Sequence, residues 1–403
     1  MTGIKKVETT EDKAKKIFRK EGAIEHVRNR IYIVESQTGT GTYKVQWKHG
    51  EWECNCSDFV ERNKPCKHIL AVMYKIQIEK PKPDSTTFTK VPLSEKQHWT
   101  TYNKAQTQEM ELFDKLLSDL VATIDEPTQK TIGRPRIPLQ DQMFCCIKKV
   151  YSQLSSRRAS FLFKIAENNN YLCHAPHFNN ISNTLNREDI TDMLHRLVRL
   201  SAYPLADIEH YFAIDSSGFR TTQFNLYCTE KHRTKKKNVW LKAHISCGVI
   251  TNVIADASIT DGYASDTLQF PRLLEGTCGY FDVWEISADK AYSSRKNHEI
   301  ADSIGVDAYI PFRNNATGRS RGSPAWKKAY HYFQWNWEEF ESHYHKRSNV
   351  EATFAAIKQK FGETLKSKNE TAQVNELLCK IIAYNITILI HEMFEHGIEP
   401  DFI

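Results

Sequence analysis

The chain has 403 residues, 40% hydrophobic content and a formal net charge of +6, enough length for two or three domains with cores of their own and a charge too modest to establish a nucleic-acid partner by itself. Its uninterrupted apolar runs stop short of the roughly 18 residues a membrane span needs, and the start, MTGIKKVETTEDKAKK, lacks the apolar core of a signal peptide, so a cytoplasmic protein without a membrane partner is expected. Ten cysteines without a disulfide-like framework fit a reducing compartment.

A short charged helix is expected around residues 9 to 27, then alternating stretches, RIYIVES and TYKVQWKHGEWECNC, that form a hairpin turning at His49-Gly50. Cys54-x-Cys56, nine residues and Cys66-x-His68 come next. Three thiolates and one imidazole make a complete tetrahedral set for Zn²⁺ with no position left for water, which points to a structural site. The helix HILAVMYKIQ begins at the second ligand pair and would be pinned to the hairpin by the metal. The pattern C-x-C-x(n)-C-x-H resembles the SWIM zinc finger over roughly residues 40 to 78, a family associated with DNA or protein binding. Lys48, Lys64, Lys67 and Lys75 suit a DNA-facing surface. Residues 1–78 are taken as this module.

Residues 79–129 read as a linker and a helix. The stretch EKPKPDSTTFTKVPLSEKQ has no sustained periodicity, whereas Met110, Phe113, Leu116, Leu117, Leu120 and Val121 mark an amphipathic helix ending near Ile124. Gly133-Arg134-Pro135-Arg136 looks like the core of an AT-hook, in which Arg134 and Arg136 lie in a narrow minor groove; a rigid basic turn ahead of the next helix is the other reading. From Leu139 to Leu200 apolar steps such as Met143, Ile147, Val150 and Leu154 indicate a small helical bundle. Residues 130–205 are either a region that binds DNA ends or a scaffold for the next domain.

Residues 206–396 hold the remaining chemistry. In HYFAIDSSGF an apolar stretch ends in Asp215, as a buried strand delivers a carboxylate. WLKAHISCGVITNVIADASI holds two alternating segments meeting near Gly248; a helix around Leu268 to Leu274 comes after them, and VWEISADKAYSS carries Asp289 at the end of another apolar segment. A helix through Arg295 to Ile304 and a strand in VDAYIPF complete the order of an RNase H-like fold. The expected class is therefore α/β: an RNase H-like mixed sheet with flanking helices, preceded by a helical domain and a small zinc-binding ββα module. The basic run EKHRTKKK at 230–237 and Arg319, Arg321 and Lys327 favour a polyanionic substrate. Trp326, Tyr330, Tyr332, Phe333, Trp335 and Trp337 either fill a core or stack on an extruded base. NELLCKIIAYNITILIHEMF reads as a buried closing helix.

The stretch YHKRSNVEATFAAIKQKFGETLK, Tyr344 to Lys366, reads as one amphipathic helix with the stripe Val350, Phe354, Ile357 and Phe361. Tyr344, Arg347, Glu351 and Lys358 share the edge beside that stripe, a placement that a solvated face with ordinary ion pairs would also produce. Their order and spacing match the signature helix of a family of insertion-sequence transposases of the DDE class, which this chain resembles, and D-S-S-x-F at Asp215 and D-K-x-Y at Asp289 precede it in the order that family requires. The resemblance covers about residues 130 to 395. It implies that Asp215, Asp289 and Glu351 are the catalytic carboxylates and hold Mg²⁺ or Mn²⁺, and that Tyr344, Arg347 and Lys358 hold DNA phosphate. Asp261 and Asp266 in ITDGYASD also look family-like. The function implied is a transposase that acts on double-stranded DNA, as a homodimer on it, by metal-dependent strand cleavage and transfer. A DNA-binding regulator on an inactive fold, or a nuclease without strand transfer, are the alternatives.

Overall fold

The computed structural model describes residues 9–20, 22–28, 31–37, 41–48, 51–62, 64–79, 98–126, 136–221 and 240–402. The His49-Gly50 turn, nearly all of the linker, Gly133 to Pro135 with Arg134, and the basic run 230–237 lie outside the described residues. The chain divides into two compact units, one of residues 1–96, 294–308 and 316–334, the other of 97–293, 309–315 and 335–403.

In the first unit, α1 (Thr10–Arg19) begins at a reciprocal cap: the Thr9 hydroxyl accepts the Asp12 N–H and the Asp12 carboxylate accepts the Thr9 N–H. Strands β1 (Ile24–Arg28), β2 (Ile31–Glu35), β3 (Thr42–Lys48) and β4 (Glu51–Cys54) form an antiparallel meander in sequence order. Along β2 the alternation buries Tyr32 and Val34, which meet Ala14 and Ile17 of α1 and Ile69 and Val72 of α3 (Lys67–Glu79) in one core. The short α2 (Ser57–Arg62) lies between the two ligand pairs. Helices Arg295–Ile304 and Pro324–Trp335 belong to this unit as well. There the buried Trp326 indole donates to the Thr317 carbonyl at 2.9 Å, and the Arg295 guanidinium lies 4.7 Å from its ring.

The second unit opens with α4 (Trp99–Ala122), whose apolar face buries Phe113, Leu116, Leu117 and Leu120. Helices α5 (Leu139–Tyr151), α6 (Ser156–Asn168), α7 (Phe178–Leu185) and α8 (Thr191–Ala202) form the expected bundle. Next come β5 (Tyr211–Arg220), β6 (Trp240–Gly248), β7 (Ile254–Asp261), α9 (Phe270–Cys278), β8 (Glu285–Ala288) and β9 (Asp307–Tyr309), of which Tyr309 falls in this unit. The sheet order is β7-β6-β5-β8-β9, with β5 antiparallel to β6, β6 antiparallel to β7, and β5 parallel to β8. This is the RNase H-like arrangement that the element order leads one to expect. Helices α10 (Trp337–Tyr344), α11 (Ser348–Phe361) and α12 (Glu370–Glu395) come last. Length and composition alone would let α12 cross a membrane, but 78% of its most apolar window is buried against the rest of the fold, mainly α4, α5 and α8. It is the central core helix of the unit.

The turn between β6 and β7 is fastened from within. The carboxylate of the fully buried Glu209 accepts the N–H groups of Val249, Ile250 and Thr251 and the Thr251 hydroxyl. Gly248 is needed beside it, because a Cβ there would lie 2.6 Å from the Glu209 carboxyl carbon.

Candidate active site

Asp215 lies in the middle of β5, although the apolar run ending at Asp215 suggests a strand end. The strand continues because β6 pairs with it as far as Arg220 and Trp240. In the parallel register Ile214 stands opposite Ala288, so the next residues along the two chains are Asp215 and Asp289, on adjacent strands about 4.8 Å apart. Asp289 leaves the strand at that point. Its carboxylate accepts the Lys290 N–H at 2.7 Å and caps the 3₁₀ turn Lys290–Tyr292.

Tyr344 to Lys366 is not one helix. α10 ends at Tyr344, a 3₁₀ turn spans His345–Arg347, and α11 runs from Ser348 to Phe361. The tighter turn changes the phase between the helices. His343 and Lys346 both reach the Glu285 carboxylate, at 2.7 and 2.9 Å, and Arg347 reaches Asp215. The predicted stripe Val350, Phe354, Ile357 and Phe361 is buried throughout.

α11 lies along one face of β5. Alternate strand residues share a face, and Asp215, Ser217 and Phe219 are the ones that meet the helix. Phe219 packs on Phe354 with ring centroids 6.5 Å apart, while the Lys358 ammonium donates to the Ser217 hydroxyl at 2.7 Å and stands 5.3 Å from the Phe219 ring. Beyond the helix the chain hydrogen-bonds to the end of β5, Arg220 N–H to the Glu363 carbonyl and Leu365 N–H to the Arg220 carbonyl. The helix is thus held to the strand along its whole length.

At the near end Arg347 bridges two carboxylates. One guanidinium nitrogen donates to Asp215 at 2.6 Å and another to Glu351 at 3.0 Å, with the Tyr344 ring 5.7 Å away. The Asp215 contact is sheltered, its two side chains being 20% and 19% exposed, whereas Glu351 is 64% exposed and its pair is screened by water. Burial pushes the Asp215 carboxyl up, Arg347 opposes this, and the charges of Asp289 and Glu351 push it further. Burial likewise raises the Tyr344 phenol, which also senses Asp289 and Asp215. Asp215, Asp289, Glu351, Tyr344 and Arg347 therefore share one electrostatic locus, and Lys358 stands further along the same helix. Among the described residues the donor groups gathered within 4.8 Å of one another do not include the three carboxylates. Arg347 stands between two of them. Carboxylate oxygens as a class suit hard cations such as Mg²⁺ or Mn²⁺ better than Zn²⁺.

On the opposite face of β5 lies a polar layer centred on His244, which no sequence motif marks. His244, which pairs in register with Ser216, faces the Tyr292 hydroxyl at 3.3 Å and the Thr260 hydroxyl at 3.0 Å. Lys242 forms an ion pair with Asp266, whose carboxylate is 3.5 Å from His244. Burial draws His244 down to about 4, so it is a neutral hydrogen-bonding group at physiological pH. Tyr292 stands inside the D-K-x-Y motif and Asp266 inside ITDGYASD; His244 carries no comparable signal. Asp261 accepts the Tyr263 N–H at 2.8 Å in the loop after β7.

In the first unit Cys54, Cys56, Cys66 and His68 are buried and their ligand atoms lie within 4.8 Å of one another. The His68 Nδ1 is 3.8 Å from both the Cys54 and Cys66 sulfurs, close to the about 3.6 Å that tetrahedral Zn–S and Zn–N bonds impose. A hydrogen bond from the Cys54 thiol draws the Cys66 thiol down, toward the thiolate that a metal takes. The set fits Zn²⁺. Of the proposed AT-hook pair, Arg136 is exposed and Arg134 lies outside the described residues. Among the aromatics between Asp289 and Glu351, Trp326 is core, while Trp335 and Trp337 are 77% and 46% exposed.

The family model for the transposase DDE domain matches residues 209–386, and the model for the SWIM zinc finger matches residues 43–77. No solved structure matches the chain.

Proposed function

From a chain that carries a transposase DDE domain behind a SWIM zinc finger, we propose a DNA transposase that binds the ends of a mobile element, cleaves a strand there and transfers it to target DNA. The observation that supports this most is the Arg347 bridge, which ties Asp215 of β5 to Glu351 of α11 beside Asp289. Asp215, Asp289 and Glu351 are the ligands for Mg²⁺, with Mn²⁺ as substitute. A pair of such ions, when bound, activates the attacking oxygen and stabilises the leaving one in an in-line displacement.

The chain's own groups do the positioning. Arg347 exchanges its carboxylate partners for a DNA phosphate when the carboxylates take up metal, Tyr344 donates to the same backbone, and Lys358 holds the next phosphate from its anchor on Ser217. Hydrolysis breaks one P–O bond and frees a 3′-hydroxyl; in the second step that oxygen forms a new P–O bond to target DNA while the target strand's 3′ oxygen leaves and takes a proton from solvent. Arg134 and Arg136 contribute minor-groove contacts at the element ends, and the zinc module adds a further contact. Joining two ends calls for a homodimer on DNA, working at the nucleoid in the cytoplasm.

The test is incubation of the purified protein and Mg²⁺ with DNA carrying the repeats that flank its own locus, with Glu351→Gln as control. Cut ends joined to new DNA in wild type alone support the proposal. Cutting without joining indicates a nuclease, and binding without any cut, with Mn²⁺ and paired ends also tried, indicates a regulator.

A further inference from the structure

The end of α12 carries His391, Glu392 and Glu395, with His396 directly after it, and none of the four has a part in the proposed reaction. Residues four apart share a helix face, and the His391 Nδ1 accordingly lies 3.2 Å from a Glu395 oxygen. It is also 3.7 Å from one Glu392 oxygen, while the other Glu392 oxygen is 2.7 Å from the His396 Nδ1. One imidazole nitrogen and two carboxylates, those of His391, Glu392 and Glu395, come within 4.8 Å of one another. Around a tetrahedral ion with bonds near 2.0–2.2 Å, neighbouring donors stand about 3.4 Å apart. The observed separations straddle that value, so small rotations suffice.

A second feature is electrostatic. Glu392 has a side chain only 7% exposed, and it faces the imidazoles of His391 and His396. It sits at the negative end of a 26-residue helix with Glu395 beside it. Two carboxylates at such a place favour a bound cation.

We propose that His391, Glu392 and Glu395 bind a divalent transition ion of the zinc class, with His396 as the outer hydrogen-bond partner that orients Glu392. Mixed imidazole and carboxylate donors select Zn²⁺, Co²⁺ or Ni²⁺ over Mg²⁺. Three protein ligands leave a coordination position open, unlike the closed cysteine and histidine set of the zinc module. The donors lie on one helix and two of them, His391 and Glu395, reach solvent, so this ion exchanges while the zinc module keeps its own.

The test uses the full chain with its zinc module loaded and Mg²⁺ in large excess, so that hard oxygen sites are filled. Zn²⁺ is then titrated calorimetrically, and bound zinc is counted by elemental analysis. Wild type takes up one further equivalent, and His391→Ala and Glu395→Gln each lose it. His396→Ala weakens it by about tenfold or more, as loss of an outer partner does. Glu395 is exposed and the Gln replacement keeps its shape, so that variant reports on the site even if another fails to fold. No further equivalent in wild type, or an unchanged one in Glu395→Gln, overturns the proposal.

Discussion

The zinc module and the carboxylate site proposed for catalysis are assembled in opposite ways. The zinc donors fall within fifteen consecutive residues, Cys54 to His68, in two tight pairs. All four are already gathered within 4.8 Å. Asp215, Asp289 and Glu351 come from a strand, the cap of a turn after another strand and a helix, far apart in the chain, and a folded unit with its own core brings them near one another. Even then an arginine holds two of them. A small module has little core to spare and depends on its metal to fold; a domain built on a five-stranded sheet and a buried helix has a core that does not call for one.

The sharpest way to break that contrast is to take the metals away. Chelation, or Cys66→Ser, should unfold the zinc module, since structural zinc contributes on the order of 10 kcal/mol to such folds. The RNase H-like unit should keep its helical signal and its cooperative unfolding. Circular dichroism and proteolysis before and after chelation read this directly; collapse of both units together would remove the distinction.

Next in size is Glu351→Gln. Its side chain is 64% exposed and paired only through a screened contact, so the fold should be unaffected within about 0.5 kcal/mol. Strand cleavage should fall by at least about 10³-fold, because a hard-cation ligand is lost where charge develops. DNA binding should persist. A variant that still cuts at the wild-type rate would remove Glu351 from the reaction.

The same contrast decides how much of the molecule is legible in its sequence. The zinc donors are local, and Cys-x-Cys with Cys-x-His suffices to find them. Asp215, Asp289 and Glu351 are legible only as a conjunction of motifs, because an aspartate next to an apolar run has many uses. The five-strand order and the Val350, Phe354, Ile357 and Phe361 stripe are readable from periodicity. The break at His345–Arg347 is not, since apolar spacing carries over a 3₁₀ turn and the cause is long-range: Glu285 for Lys346 and His343, Asp215 for Arg347. The same holds for His244, whose partners Tyr292 and Thr260 come from other elements, and for the grouping of 294–308 and 316–334 with residues 1–96.

Lys358→Ala tests whether the signature helix holds DNA or only packs. Lys358 is anchored on Ser217 at 2.7 Å, so its ammonium is pre-positioned. Loss of one phosphate contact should lower kcat/KM by about 10²-fold and reduce the salt dependence of DNA binding by about one counterion. Ser217→Ala should do less, by about a factor of ten. An unchanged salt slope in Lys358→Ala would assign the lysine to packing against Phe219.

The smallest effect is on stability against pH, and it separates groups within the second unit itself. His195 is drawn from 6.5 to about 4 by burial, with the nearby Arg272 and Arg199 cations adding and Asp192 opposing. A lowered folded value means that the folded state binds fewer protons than the unfolded chain, so stability is complete above pH 6.5 and is lost as pH falls toward 4. By pH 5 that loss is about 2 kcal/mol for one such imidazole. Glu209 runs the other way. Burial raises it to about 7 although backbone N–H groups hold its charged form, so its contribution is complete below about 4.5 and lost as pH rises through 7. Between pH 7.5 and 5 it therefore returns about 2 kcal/mol and offsets one histidine. Denaturant unfolding of the full chain at both pH values should find Glu209→Gln steeper in its acid loss than wild type and His195→Gln shallower. Equal slopes in all three would mean that these groups titrate as they do in water, and that the interior around β6 and β7 is more hydrated than its burial indicates.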